Sequence, residues 1–102
     1  MDSKVKWSPE AIEDVESIAQ YINRDSKFYA HATVSKIIDF SDSLAKFPRM
    51  GRVVPEFNDV KIREWLVYSY RLVYKIESTH ILILAVIHDK RSFASISPER
   101  FA

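Results

Sequence analysis

Two apolar segments in the second half of the chain carry residue types that could do chemistry on an anion. Arg71 lies within the apolar and aromatic run 70–75, and a second apolar run, 81–87, follows it closely. The second run ends in a cluster of cationic and titratable side chains: His88, Lys90 and Arg91. A guanidinium within sheet strands is costly unless an anion meets it. That anion can be a protein carboxylate or a phosphate, and the choice decides the function.

Arg71 therefore has two interpretations. As a phosphate ligand, its planar fork would bind two phosphate oxygens. As a structural residue, it would form an ion pair with Glu64 or Glu56 across the sheet. His88, at a strand end, is equally open: an unperturbed histidine titrates near about pH 6.5 and can donate or accept a proton, or it can be a hydrogen-bonded structural residue.

The remaining candidates have equally plain alternatives. Lys61, Arg63 and Lys90 are substrate contacts in one interpretation and solvated strand-edge charges, which discourage edge pairing, in the other. Glu56 is either a general base or an ordinary loop carboxylate. The metal-binding class is excluded, because the chain has no cysteine and its three histidines lack metal-ligand spacing. We expect no cofactor.

Composition sets the class of protein. The chain has 102 residues, 47% of them hydrophobic and 28% charged, which predicts one globular domain spanning 1–102. The formal charge of +1 means that any nucleic-acid contact must come from local clusters of Lys and Arg. No secretory apolar core follows the first residues, and the run 81–87 is too short to span a bilayer, so a cytoplasmic protein without membrane contact is expected.

The elements that must position these residues begin with a short strand, 4–7. Ser8 and Pro9 then predict a helix start, with apolar residues at helical spacing as far as Ile22 or Asn23. A second apolar stripe predicts another helix that ends at about Phe47, before a proline. Two amphipathic helices with a short polar link predict an antiparallel hairpin.

Three strands follow the hairpin, at 62–68, 70–76 and 81–88. Their short connections predict that the middle strand pairs with both others. Helices followed by strands predict an α+β fold, with the helical hairpin packed on one face of a small, mainly antiparallel sheet. Gly51, the only glycine, is expected where the backbone needs positive φ. The tail from Ser92 onwards is expected to add one helical turn, and the sequence does not place it in the fold.

Six short motifs connect this order of elements to a known family. They are 8–11 (SPEA), 44–52 (LAKFPRMGR), 54–56 (VPE), 62–64 (IRE), 70–74 (YRLVY) and 86–88 (VIH). With these motifs the chain resembles the ParE/RelE superfamily of bacterial type II toxins over roughly residues 7–91. The resemblance implies a toxin neutralised by a small cognate antitoxin, in a hetero-oligomer of the two.

The superfamily contains two activities. RelE-like members cut messenger RNA on the ribosome, and ParE-like members poison DNA gyrase without cutting anything. By resemblance to RelE and YoeB, three residues would be catalytic: Arg71, Glu56 and His88. Four cations would bind substrate: Lys61, Arg63, Lys90 and Arg91. Metal-free cleavage by attack of the RNA 2′-OH would use Glu56 or His88 as the base and Arg71 as the main phosphate ligand.

Other features resemble ParE more. The position of the RelE catalytic tyrosine, counted from Arg91, holds Ser97. His88 is followed by Asp89, where YoeB has a tyrosine. The basic set favours ribosome-dependent mRNA cleavage as the prediction, with gyrase inhibition and an inactive toxin-derived binding protein as the alternatives. Four aromatic residues of the hairpin are expected to leave apolar surface for an antitoxin: Tyr21, Phe28, Tyr29 and Phe40.

Overall fold

The computed structural model describes residues 3–96 and 98–101, and it confirms the α+β fold. The elements are β1 (Lys4–Trp7), α1 (Pro9–Asn23), α2 (Lys27–Ser43), β2 (Arg52–Val53), β3 (Ile62–Val67), β4 (Tyr70–Ile76) and β5 (His80–His88), followed by two short 3₁₀ helices, Phe93–Ser95 and Pro98–Phe101. Among these residues, none of the helices has the length and apolarity that crossing a bilayer requires.

The helix starts follow from local capping. The Ser8 hydroxyl accepts a hydrogen bond from the Ala11 N–H at 3.1 Å, as the Ser-Pro start predicts. The expected end of α2 at about Phe47 is wrong, because the helix ends at Ser43. There the Leu44 N–H bonds to the Ser41 carbonyl, a tightened last turn that ends the helix before the proline is reached.

The sheet has the order β1-β5-β4-β3-β2. β3, β4 and β5 are consecutive antiparallel neighbours, as predicted. β1 is parallel to β5, from Lys4 opposite His80 to Trp7 opposite Ile83, so the sheet is mixed. The register of β4 on β5 shifts between Val73 and Tyr74, where β5 carries one residue more than β4.

Strand alternation divides the core into two layers. The layer between the sheet and the helices includes Ile37, Leu44, Leu72, Tyr74 and Ile83. The layer on the other face, which we call the helix-free face, includes Val54, Val73, Ile87, Phe93 and Phe101. Both 3₁₀ helices of the tail contribute an aromatic ring to this second layer. The tail therefore covers part of the helix-free face, a placement that the sequence did not predict.

The expected positive φ at Gly51 is wrong. In the described residues, positive φ occurs instead at Asn58 and Tyr68, two non-glycine residues. The glycine is needed for a close approach: a Cβ on Gly51 would lie 2.6 Å from the Glu64 carbonyl oxygen and 2.7 Å from the Tyr74 hydroxyl. The Gly51 N–H donates to that hydroxyl at 2.9 Å, which fixes the turn after α2 on the sheet.

Candidate functional site

Arg71 lies on the helix-free face and binds two carboxylates. Its position in β4 opposite Ile87 directs the side chain toward the layer that contains Phe93. Its two terminal nitrogens donate to the two oxygens of Glu56, each at 3.1 Å, in a bidentate fork. Its Nε donates to Glu64 Oε1. Arg71 thus pairs with both carboxylates that the ion-pair interpretation named.

Glu64 is the deepest member of this cluster, with only 2% of its side chain exposed. Its second oxygen, Oε2, accepts from Arg52 Nε at 2.8 Å and lies 2.7 Å from Arg52 Nη2. Glu56, in contrast, is 44% exposed and Arg52 is 69% exposed. We call Arg52, Glu56, Glu64 and Arg71 the ion-pair cluster. Two positive and two negative groups leave it without net charge.

The ion pair between Arg71 and Glu56 favours the charged form of both groups. Burial disfavours the charged guanidinium, but the hydrogen bonds that it donates to Glu56 and Glu64 outweigh this effect, so the pKa of Arg71 is raised. The hydrogen bond from Arg71 lowers the pKa of Glu56, against a smaller opposing effect of burial. The Arg71 guanidinium carbon also lies 4.3 Å from the centre of the Phe93 ring, a cation–π contact.

His88 lies on the other face of the sheet, toward the helices. It is opposite Tyr70, whose ring it meets edge-on with centroids 5.6 Å apart. Its Nδ1 is 3.2 Å from the Lys90 N–H and 3.2 Å from the Asp89 carboxylate. Both partners of this nitrogen therefore belong to the turn that follows β5.

The predicted catalytic residues are therefore split between two faces. Adjacent residues of a strand point to opposite faces, and Arg71 is paired with Ile87 whereas His88 is paired with Tyr70. Glu56 accompanies Arg71 on the helix-free face. The structure thus brings one candidate base to the guanidinium and separates the other from it.

The predicted substrate-binding cations are also dispersed. Arg63 donates to the backbone carbonyls of Gly51, at 2.9 Å, and Val60, at 3.0 Å, which braces the turn after α2. Lys61 is exposed at the start of β3, and Lys90 is exposed in the turn after β5. Arg91, on the helix side with His88, donates to the Ser95 hydroxyl at 3.2 Å.

Two residues beside Arg71 were not named in the sequence analysis, and one that was named lies elsewhere than expected. Arg52 and Phe93 complete the surroundings of Arg71, but only the pairing of strands and the path of the tail bring them there. Phe40, expected on the surface, is buried and stacks on Trp65 at a centroid distance of 5.2 Å. Ser97, at the position compared with the RelE tyrosine, lies outside the described residues. In the part of the chain that the structure covers, no group of three metal-ligating side chains occurs.

The fold defines the class of protein: small α+β proteins in which a helical hairpin covers one face of a sheet. Comparison by sequence assigns the family, since residues 5–93 match the family described as the ParE toxin of the type II toxin-antitoxin system, parDE. The chain belongs to that family. No curated protein matches the sequence directly.

Solved structures of toxin-antitoxin systems share the fold. The chromosomal ParDE system from P. aeruginosa aligns with a TM-score of 0.69 at 18% identity, over 84% of this chain and 95% of that one. The RelBE2 toxin-antitoxin complex from Mycobacterium tuberculosis gives 0.61 at 20%, over 86% and 99%. The YoeB dimer from Staphylococcus aureus gives 0.58 at 20%, over 86% and 98%.

Proposed function

We propose that this toxin inhibits growth by binding DNA gyrase, that it does not cleave RNA itself, and that a cognate antitoxin neutralises it. The observation that carries the proposal is the position of Arg71. Its guanidinium is bound by two carboxylates on one face of the sheet, while His88 lies on the other face.

Metal-free RNA cleavage needs a base, a cation and an acid around one phosphate. The residues predicted for those roles do not surround one point, since adjacent strand positions separate Arg71 from His88. A phosphate could reach the Arg71 fork only by displacing Glu56, which leaves that carboxylate without its partner. Such an arrangement supports a structural role for Arg71 and an activity based on binding.

Similarity supports the same choice. The chain belongs to the ParE toxin family. Inhibition of gyrase is the activity that the resemblance to ParE-like toxins implies. The TM-score for the ParDE system is 0.69, against 0.61 for the RelBE2 complex and 0.58 for YoeB. Two of these structures contain toxin-antitoxin systems, and a YoeB–YefM complex from Staphylococcus aureus also matches, which supports an antitoxin as the partner of this chain.

One observation favours mRNA cleavage as the second candidate. Glu56 is partly exposed and its oxygens lie 3.1 Å from the Arg71 fork, so a base and a phosphate ligand are adjacent. In that case the ribosome would supply the acid and the remaining contacts.

Two assays on the wild-type toxin separate the candidates. Purified toxin is added to DNA gyrase in a supercoiling assay, and primer extension maps messenger RNA after the toxin is induced in cells. We expect loss of supercoiling and unchanged primer-extension products, both reversed by the antitoxin encoded beside this chain. New 5′ ends within messenger RNA, together with undisturbed supercoiling, would refute the proposal and establish the second candidate.

A further inference from the structure

In the part of the chain that the structure describes, the edge of β5 beyond the end of β1 meets side chains rather than a strand. β1 ends at Trp7, whereas β5 continues to His88. The register shift leaves Leu84 opposite no residue of β4. The Leu84 carbonyl accepts instead from the Ser8 hydroxyl at 3.4 Å and from Arg100 Nη2 at 3.2 Å. Side chains thus bond this carbonyl where a further strand would supply an N–H.

Asp14 and Arg100 offer complementary groups to this edge. The Val86 N–H donates to Asp14 Oδ2 at 3.0 Å, and Arg100 Nη2 donates both to the same oxygen and to the Leu84 carbonyl. An acceptor therefore meets the N–H of Val86, and a donor meets the carbonyl of Leu84. The main chain of a neighbouring strand would present the same two groups. We call the pair of Asp14 and Arg100 the edge plug.

The tail carries Arg100 to this position from the helix-free face. Phe93 and Phe101, one from each 3₁₀ helix, are buried against Phe57, and the three ring centroids lie 5.0 to 5.3 Å apart. Arg100 directly precedes Phe101 and pairs with Asp14 of α1, on the helix side. The tail therefore lies against the β5 edge, anchored by aromatic rings on one face of the sheet and by an ion pair on the other.

The surroundings of Arg100 fit the closing of an edge better than an ion pair that only holds the tail. The side chains of Arg100 and Asp14 are 15% and 17% exposed. The Arg100 Nε is buried and has no hydrogen-bond partner among the described residues. A buried donor without a partner is unfavourable. The guanidinium is thus placed where the edge needs a donor, and not where all of its own donors are satisfied.

The two strands at this border of the sheet differ in their protection from strand pairing. β1, the edge strand, has two exposed charges, Lys4 and Lys6, which discourage pairing. The stretch of β5 beyond β1, residues 84–87, consists of apolar residues and has no charge of its own. Without a cover it would be a template for a like edge, because two identical antiparallel strands can pair about a two-fold axis.

We propose that the edge plug keeps the free toxin from dimerising through β5. Asp14 and Arg100 occupy the Val86 N–H and the Leu84 carbonyl, which would otherwise pair with the β5 edge of a second copy of this chain. The tail is the strap that holds Arg100 in place. This role belongs to the free toxin and depends on neither gyrase nor the antitoxin.

The test compares two double variants of the full chain by sedimentation velocity over a range of concentrations. Asp14→Ala/Arg100→Ala removes the plug and leaves neither of the two charges buried without its partner. Glu16→Ala/Arg24→Ala is the matched control, because it changes the same charges at exposed positions on α1 and at its C-terminal end. We expect the plug variant to shift from monomer to dimer as the concentration rises, whereas wild type and the control variant remain monomeric.

Hydrogen exchange at the Val86 amide shows whether the dimer uses this edge. In the dilute plug variant, exchange should be about tenfold faster than in wild type, because a hydrogen bond to a charged group is lost, and it should slow again as the dimer forms. A folded plug variant that stays monomeric, or that dimerises while this amide still exchanges fast, would overturn the proposal. So would a plug variant that no longer folds, since the pair would then serve stability alone, or a wild type that already dimerises at this edge.

Discussion

The ion-pair cluster and the two residues His88 and Arg91 lie on opposite faces of the sheet and differ in how their charges are satisfied. On the helix-free face, Arg71 and Glu64 are buried and each has its charge matched within the cluster. On the helix side, Arg91 bonds to a hydroxyl and His88 has alternative partners. Cations that look alike in sequence thus differ in their surroundings: Arg71 is buried between carboxylates, whereas Arg91 is exposed and bonds to a neutral hydroxyl.

The largest expected effect comes from Arg71→Ala. It leaves Glu64 buried with only the exposed Arg52 as its partner, and breaking a buried pair in this way typically costs roughly 3–5 kcal/mol. The free energy of unfolding, from urea denaturation followed by circular dichroism, should fall by that amount. Arg52→Ala is the matched control and should cost far less, since its side chain is 69% exposed. An equal free energy of unfolding for Arg71→Ala and wild type would contradict the structural role of Arg71.

The comparison also shows what the sequence could predict. Apolar periodicity and caps located both helices and the three consecutive strands, because those signals are local. Charge alone left two alternatives for Arg71: an ion pair with Glu64 or Glu56, and a phosphate ligand. Arg71 and His88 lie on different faces because Arg71 is opposite Ile87, and His88 is the next residue of β5. This assignment requires the pairing register of the two strands, which the sequence alone did not provide.

Long-range features were not predictable for physical reasons. β1 is parallel to β5, and this direction depends on the path of the chain through the helical hairpin and the other strands. The amino-acid composition of a strand does not determine its direction in the sheet. Gly51 was expected to need an unusual φ, yet the requirement comes from Tyr74 and Glu64, which approach from other strands. The contact of Phe93 with Arg71 depends on the path of the tail.

A smaller loss is expected from Gly51→Ala. The new methyl group would meet the Glu64 carbonyl oxygen and the Tyr74 hydroxyl at less than 3 Å, so the turn must move away from the sheet. Forcing a methyl group into a packed position typically costs about 1–3 kcal/mol. Thermal unfolding monitors the change, with Met50→Ala as a neighbouring control whose side chain is partly exposed. An unchanged melting temperature would show that the close approach is not required.

The smallest effect should appear as a pH dependence at Glu56. Its pKa is lowered by the hydrogen bond from Arg71, so the ionised form stabilises the folded state above its ordinary pKa and loses that contribution as the pH falls through the lowered value. Wild type should therefore be more stable than Glu56→Gln at pH 7, and the difference should shrink as the pH falls below the ordinary pKa of a glutamate. Partial exposure keeps the difference small. A constant difference across this range would mean that the carboxylate charge is not involved.

The most direct measurement of the central claim replaces the buried ion pair with apolar side chains of similar size. In Arg71→Met/Glu64→Leu, neither buried charge remains, and such replacements are often neutral or stabilising. Growth inhibition after induction is measured on a variant whose melting temperature has been shown to be near that of wild type. If Arg71 is structural and the toxin acts by binding, the variant still inhibits growth and gyrase. A stably folded variant that no longer inhibits growth would contradict the account and return Arg71 to the chemistry.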